Sequence, residues 1–159
     1  MTQLKVGDRA PEFLIRNTEG KLRKLGDYNS KTIVLYFYPK DNTPGCTKEA
    51  CSLRDGYKKL KAKGIEVVGI SPDPEASHKR FSESYKLPFE LLADVDKEAL
   101  KRYGVWGEKQ FMGRKYMGVM RTTFIIEKGR IKHIIDKVDT ENHAQQILDT
   151  IENENNKED

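Results

Sequence analysis

Hydrophobic and polar positions follow two different periods along this chain, and the switches between them mark its elements. Thr32-Ile33-Val34-Leu35-Tyr36-Phe37-Tyr38 is β-branched and aromatic without polar interruption. That is the pattern of a central strand covered on both faces. Pro39 ends it, and Ile65 to Ser71 reads as a second strand of the same kind. Between them Cys46, Ala50, Leu53, Tyr57 and Leu60 are spaced four, three, four and three. This spacing predicts one buried face of a helix running from about Pro44 to Lys63, closed by Gly64 as the C′ residue.

The flanking sequence extends the pattern. Val6 to Phe13 reads as an extended segment containing Ala10-Pro11, and short strands through Leu14-Ile15 and Lys21 to Leu25 flank the turn Asn17-Thr18-Glu19-Gly20. A helix is expected over Pro74 to Tyr85 with Asp73 as its N-cap. Phe89 to Ala93 follows as a strand, and Lys97 to Tyr103 as a short helix closed by Gly104. Val119 to Glu127 and Arg130 to Lys137 flank Lys128-Gly129 as a hairpin. Asn142 to about Glu152 closes the chain as an amphipathic helix with Ala144, Ile147, Leu148 and Ile151 on one side. The polar stretch 153–159 is expected to fray. Strands alternating with helices require a parallel centre with helices packed over it, and the closing hairpin adds antiparallel strands. The expectation is a mixed α/β sandwich in one domain spanning 1–159.

Size and charge narrow the function. A chain of 159 residues, 36% hydrophobic and 34% charged, suits one substantial core. No apolar run is long enough to cross a bilayer, and Met1 to Lys5 lacks the apolar stretch of a signal peptide, so the expected compartment is the reducing cytoplasm. The net charge of +4 comes from lysines interleaved with acids, as around Lys58, Lys59, Lys61 and Lys63. Such runs decorate solvated helix faces, and no concentrated basic stripe points to nucleic acid. Two cysteines are too few for a disulfide scaffold. His78, His133 and His143 lie far from them in sequence, so no metal-ligand spacing is present and no metal is expected.

The cysteines therefore call for a chemical reading. Pro39-Lys40-Asp41-Asn42-Thr43-Pro44-Gly45-Cys46-Thr47-Lys48-Glu49-Ala50-Cys51 joins a buried strand to a helix. Thr43 suits the N-cap and Pro44 the N1 position, which puts Cys46 at N3. Unpaired backbone N–H groups and the positive end of the helix dipole meet there, and both favour a thiolate. Taken alone, Cys46 on the apolar stripe reads more readily as a small core residue. Cys51 shifts that balance, because it lies off the stripe, in line with Arg54, Asp55 and Lys58 on the polar side. In an intact helix the two Cα atoms stand roughly 8.5 Å apart. A disulfide needs less than about 7 Å, so a cycle using both thiols requires the first turns to unwind. Arg121 interrupts Val119 to Ile126 with a charge. It either turns to solvent from an edge strand or faces Cys46, where it would favour the thiolate and hold polar oxygens.

These residues resemble the peroxiredoxins. The family signature is a proline, three residues, a threonine or serine, two residues and the peroxide-reacting cysteine, here Pro39, Thr43 and Cys46. Thr43 to Thr47 with Glu49-Ala50-Cys51 is similar to the bacterioferritin comigratory protein subfamily, whose resolving cysteine lies five residues downstream. Gly118-Val119-Met120-Arg121-Thr122-Thr123-Phe124 resembles the segment carrying the family's essential arginine, and Gly7 to Phe13 is also similar to the family. The resemblance implies a thioredoxin-like fold and peroxide reduction by Cys46 through a sulfenic acid, which Cys51 resolves to a disulfide. It implies that Thr43 aligns the peroxide, that Arg121 stabilises charge and that Pro39 shields the sulfenic acid. Glu49 either orients Arg121 or the bound oxygens, or is a solvated first-turn acid. A thioredoxin-type dithiol would reopen the disulfide, and no metal, haem or flavin is required. A monomer is implied, with a dimer as the alternative. The competing readings are a thiol–disulfide exchanger, against which the four intervening residues argue, and a redox sensor oxidised once.

Overall fold

The computed structural model describes residues 2–158, with side chains through Asn153. A seven-stranded mixed sheet forms the centre, in the order β2-β1-β5-β4-β3-β8-β9. Strand β3 (Thr32–Phe37) is buried at every position and pairs in parallel with β4 (Ile65–Ser71) and antiparallel with β8 (Thr122–Glu127). Strand β5 (Glu90–Ala93) extends the parallel part, and β1 (Ile15–Arg16) with β2 (Leu22–Arg23) forms the outer hairpin. On the other side, β9 (Arg130–Ile135) pairs with β8 across the Lys128-Gly129 turn, where both residues have positive φ. The expected mixed α/β architecture is therefore present.

The strand periodicity divides the core into two layers. Val34, Tyr36, Val67, Leu91 and Ile125 point to one face, packed against α1 (Pro44–Ala62), α2 (Glu75–Tyr85) and α4 (His143–Glu158). Ile33, Leu35, Phe37, Val68, Ile70 and Phe124 point to the other, where α3 (Glu98–Arg102) contributes Ala99 and Leu100. In α1 the stripe of Cys46, Ala50, Leu53 and Leu60 is buried as the spacing predicts. Burial of a leucine such as Leu53 or Leu60 stabilises the helix on the sheet by about 1.5–3 kcal/mol each. Helix α4 crosses α1 closely, because a Cβ on Gly56 would stand 2.5 Å from the Ala144 Cβ. That glycine lets the first turn of α4 come down on the middle of α1, where the Ala144 N–H donates to the Ser52 hydroxyl and His143 reaches Glu49.

Three expectations need correction. Val119 to Glu127 is not one strand: Val119 ends β7 (Arg114–Val119), and Met120-Arg121 separates it from β8. Strand β7 pairs with β6 (Trp106–Phe111) in a separate two-stranded hairpin that the sequence pattern did not reveal. Asp73 does not cap α2, whose N-cap is Pro74; its carboxylate instead accepts from the Asp41 N–H and the Ser71 hydroxyl. Helix α4 also continues to Glu158, beyond the expected end at Glu152, so residues 153–158 are helical. Within the stretch expected to fray, Asp159 and the side chains of residues 154–158 lie outside the described residues.

Candidate active site

The site is built where β3 ends. Tyr38 is buried at the end of the strand, Pro39 is half-buried behind it, and the chain turns through Asn42, whose φ of 60° is left-handed. Asp41 anchors the turn. Its carboxylate accepts from the Tyr38 hydroxyl at 2.6 Å and the Ser77 hydroxyl at 2.8 Å, and His78 Nδ1 lies 2.7 Å away. Burial pushes the Asp41 carboxyl up, but the bonds from His78, Tyr38 and Ser77 win and hold it below its ordinary value. The loop is thereby tied to α2. None of this was legible in sequence, because Asp41 and His78 are far apart along the chain and belong to no local pattern.

Thr43 is the N-cap of α1, with Pro44 at N1 and Cys46 at N3, as expected. The expected capping bond is absent, since the Thr43 hydroxyl donates to the Lys40 carbonyl at 2.9 Å. Thr43 thus closes the loop on itself and leaves the first-turn N–H groups without a side-chain cap. The Cys46 sulfur is in that turn, with the residue only 1% exposed.

Arg121 faces Cys46, which decides between its two readings. Its Nη2 donates to the Cys46 Sγ at 3.2 Å and its Nη1 to Glu49 Oε1 at 2.5 Å. The break in the strand explains how. Thr122 is the first residue of β8 and pairs with Phe37, the last of β3, so Arg121 sits just outside the sheet and escapes its in-and-out alternation. Gly45 makes room, because a Cβ there would stand 3.2 Å from Arg121 Nη2. Glu49 is fully buried, not a solvated acid. Burial pushes its carboxyl up to about 7, against the pull of Arg121. Its Oε2 has no hydrogen-bond partner, although His143 Nε2 lies 3.5 Å away. His143 is a site neighbour that sequence reading did not find.

Cys51 is half-buried on α1, and both cysteines are free thiols. The structure does not bring them together, because α1 is unbroken from Pro44 to Ala62. Arg54, one turn beyond Cys51, donates to the Tyr85 carbonyl at 2.8 Å and ties that part of α1 to the end of α2. Among the described residues, Asp41, Asp73 and His78 form the one cluster with metal-ligand proximity, and hydrogen bonds within the protein already engage them.

A mixed sheet of this order, with a buried cysteine in the first turn of the helix that follows its central strand, defines a thioredoxin-fold protein with a thiol centre. The chain belongs to the AhpC/TSA family, whose model matches residues 6–134. It is 44% identical over 149 residues to Peroxiredoxin Bcp of Escherichia coli K12, covering 93% of this chain and 96% of that one. It is 40% identical over 149 residues to Peroxiredoxin Bcp of Bacillus subtilis, covering 93% and 95%. Among solved structures, a cysteine-to-serine mutant of Xylella fastidiosa PrxQ superposes with a TM-score of 0.88 at 28% identity, covering 97% of this chain and 99% of that one. Peroxidoxin BcpB of Mycobacterium tuberculosis gives 0.83 at 33% identity, covering 94% and 97%.

Proposed function

We propose that this chain is a thiol-dependent peroxidase that reduces hydrogen peroxide and organic hydroperoxides, with Cys46 as nucleophile and Cys51 as resolving thiol. The observation that carries the reading is the guanidinium of Arg121, 3.2 Å from a sulfur in the first turn of α1. A cation and unpaired N–H groups converge there, where a thiolate and then a departing oxygen bear the negative charge. The Cys46 thiolate attacks the distal peroxide oxygen. The O–O bond breaks, sulfur becomes a sulfenic acid, and the other oxygen leaves as an alkoxide or hydroxide that takes up a proton. Arg121 stabilises that departing charge, Thr43 helps align the peroxide, and half-buried Pro39 shields the new S–OH.

Resolution requires the helix to open. The buried groups that hold its first turns are Cys46, Glu49 and Ala50, and the Lys48–Glu141 pair is exposed and worth little. Oxidation of the sulfur weakens the Arg121 contact, because a neutral sulfenic acid draws a guanidinium less than a thiolate does. The first turns then unwind, Cys51 attacks the sulfenic sulfur, water leaves, and a Cys46–Cys51 disulfide forms. A thioredoxin-type dithiol reopens it by exchange. In this reading the protein works as a single-domain monomer in the cytoplasm, antioxidant in role, needing no cofactor. Among the described residues no helix is long and apolar enough to cross a membrane.

The test is peroxide consumption with thioredoxin, thioredoxin reductase and NADPH. The unmodified chain is expected to turn over repeatedly. Cys51→Ser is expected to consume about one equivalent of peroxide per chain and then stop, with sulfenic acid trapped on Cys46. Undiminished steady-state turnover by Cys51→Ser would remove the resolving role, and insulin reduction without peroxide consumption would favour a disulfide exchanger.

A further inference from the structure

At the other terminal nitrogen of Arg121 lies a buried pair, Glu49 and His143, that the reaction above does not use. His143 opens α4 and is fully buried. Its tautomer follows from its neighbours. The Asp139 N–H donates to Gln146 Oε1 at 2.9 Å and Gln146 Nε2 donates to the Lys137 carbonyl at 2.9 Å, so the amide orientation is set on both sides. Gln146 Oε1 can only accept, which places a proton on His143 Nδ1, 2.9 Å away. Nε2 is then the basic nitrogen. It accepts from the Thr123 hydroxyl at 2.8 Å, which occupies its lone pair, and stands 3.5 Å from Glu49 Oε2, the oxygen without a partner.

The charges near this pair form a short inventory. Glu49 faces Arg121 from the segment before β8, His143 from α4, Cys46 from its own helix and Tyr36 from β3. His143 also senses Arg121 and Asp139. One guanidinium thus serves two acids, the Cys46 thiol and the Glu49 carboxyl. A buried site with one cation accommodates one anion far more easily than two.

We propose that His143 is a positioning residue whose neutral imidazole turns an electron pair, and no N–H, toward Oε2, so that Glu49 keeps its proton and the single negative charge opposite Arg121 resides on the Cys46 sulfur. The orphaned Oε2 is then explained, since an unpartnered oxygen on a buried carboxylate is costly and a proton held on the carboxyl itself removes that cost. Burial acts in the same direction, raising the Glu49 carboxyl to about 7 and lowering His143 to about 4, so the proton resides mainly on the carboxyl. As pH rises through this titration the pair loses its proton, Arg121 divides its charge between two anions, and oxidation of Cys46 slows. Removing the imidazole removes the electron pair that opposes the carboxylate, which makes Glu49 easier to ionise.

The inference rests on the peroxidase reading, and two measurements on the full chain separate their failures. Carbon-13 NMR of the Glu side chains in the reduced protein, with Glu49→Gln to assign the signal, is expected to show Glu49 titrating near 7. Nitrogen-15 signals of His143 should show Nδ1 protonated and Nε2 responding at the same midpoint. In His143→Leu the Glu49 midpoint should fall by about one unit, a tenfold change in proton affinity. The declining limb in the rate of Cys46 oxidation by hydrogen peroxide should move down with it. A merely structural histidine would lower thermal stability and leave both midpoints unmoved. If His143→Leu does not fold, the NMR titration of the unmodified protein decides. Glu49 titrating in the ordinary carboxylate range, or His143 carrying its proton on Nε2, overturns the proposal in an active peroxidase. Absence of peroxide reduction by the unmodified protein at every pH would instead strike the peroxidase reading.

Discussion

Replacing Cys46 by serine is expected to reduce peroxide turnover to the uncatalysed background while the fold persists. A serine hydroxyl does not ionise near neutral pH and cannot form a sulfenic acid, so neither attack nor resolution remains. The structural cost is small. Serine is slightly smaller, and its buried oxygen can accept from Arg121 Nη2 as the sulfur does at 3.2 Å. A loss of about 1 kcal/mol is the scale for exchanging one such hydrogen bond. Peroxide consumption with a dithiol reductant reads the first effect and thermal melting the second. Full activity in Cys46→Ser would show that the nucleophile lies elsewhere.

Arg121→Leu has the next largest expected effect, a fall of about 10²- to 10³-fold in the rate of Cys46 oxidation, as for removal of one preorganised charge stabiliser. The substitution removes the donor at the sulfur and the partner of Glu49 together. Glu49 would then be an acid in an apolar site, where burial already raises its carboxyl to about 7. Without the guanidinium it takes a proton at neutral pH and avoids an isolated buried charge, so the protein is expected to fold with a modest loss of stability. Rapid mixing with hydrogen peroxide, followed by quantification of oxidised Cys46, measures the rate. A change of less than a few-fold would show that Arg121 does not stabilise the departing oxygen.

Much of this was readable along the chain, and the exceptions share a physical cause. The stripe from Cys46 to Leu60, the central strand, the Lys128-Gly129 turn and the position of Cys46 in the first helical turn are all local, encoded by residues within a few positions of each other. Arg121 had two readings because Val119 to Glu127 looks continuous, and only the pairing of Phe37 with Thr122 shows that the sheet stops before it. The β6–β7 hairpin is largely exposed and carries Glu108, Lys109, Arg114 and Lys115, so it has no apolar alternation to detect. The turn residues Met112 and Gly113, both with positive φ, were its one local signal. Glu49 stands next to Ala50 on the buried arc of α1, a charge where the pattern calls for apolar residues. Its partners Arg121 and His143 arrive from distant segments, as do the partners of Asp41, and single-sequence periodicity carries no trace of such pairings.

The claim on which the mechanism stands is that α1 opens to let its two thiols meet. Treating the reduced native protein with one equivalent of hydrogen peroxide, alkylating it and digesting it with trypsin tests this directly, because Lys48 lies between Cys46 and Cys51 and cleavage there separates them. Mass spectrometry is expected to find the two peptides joined by a disulfide. Recovery of both as alkylated, unoxidised peptides would contradict the account.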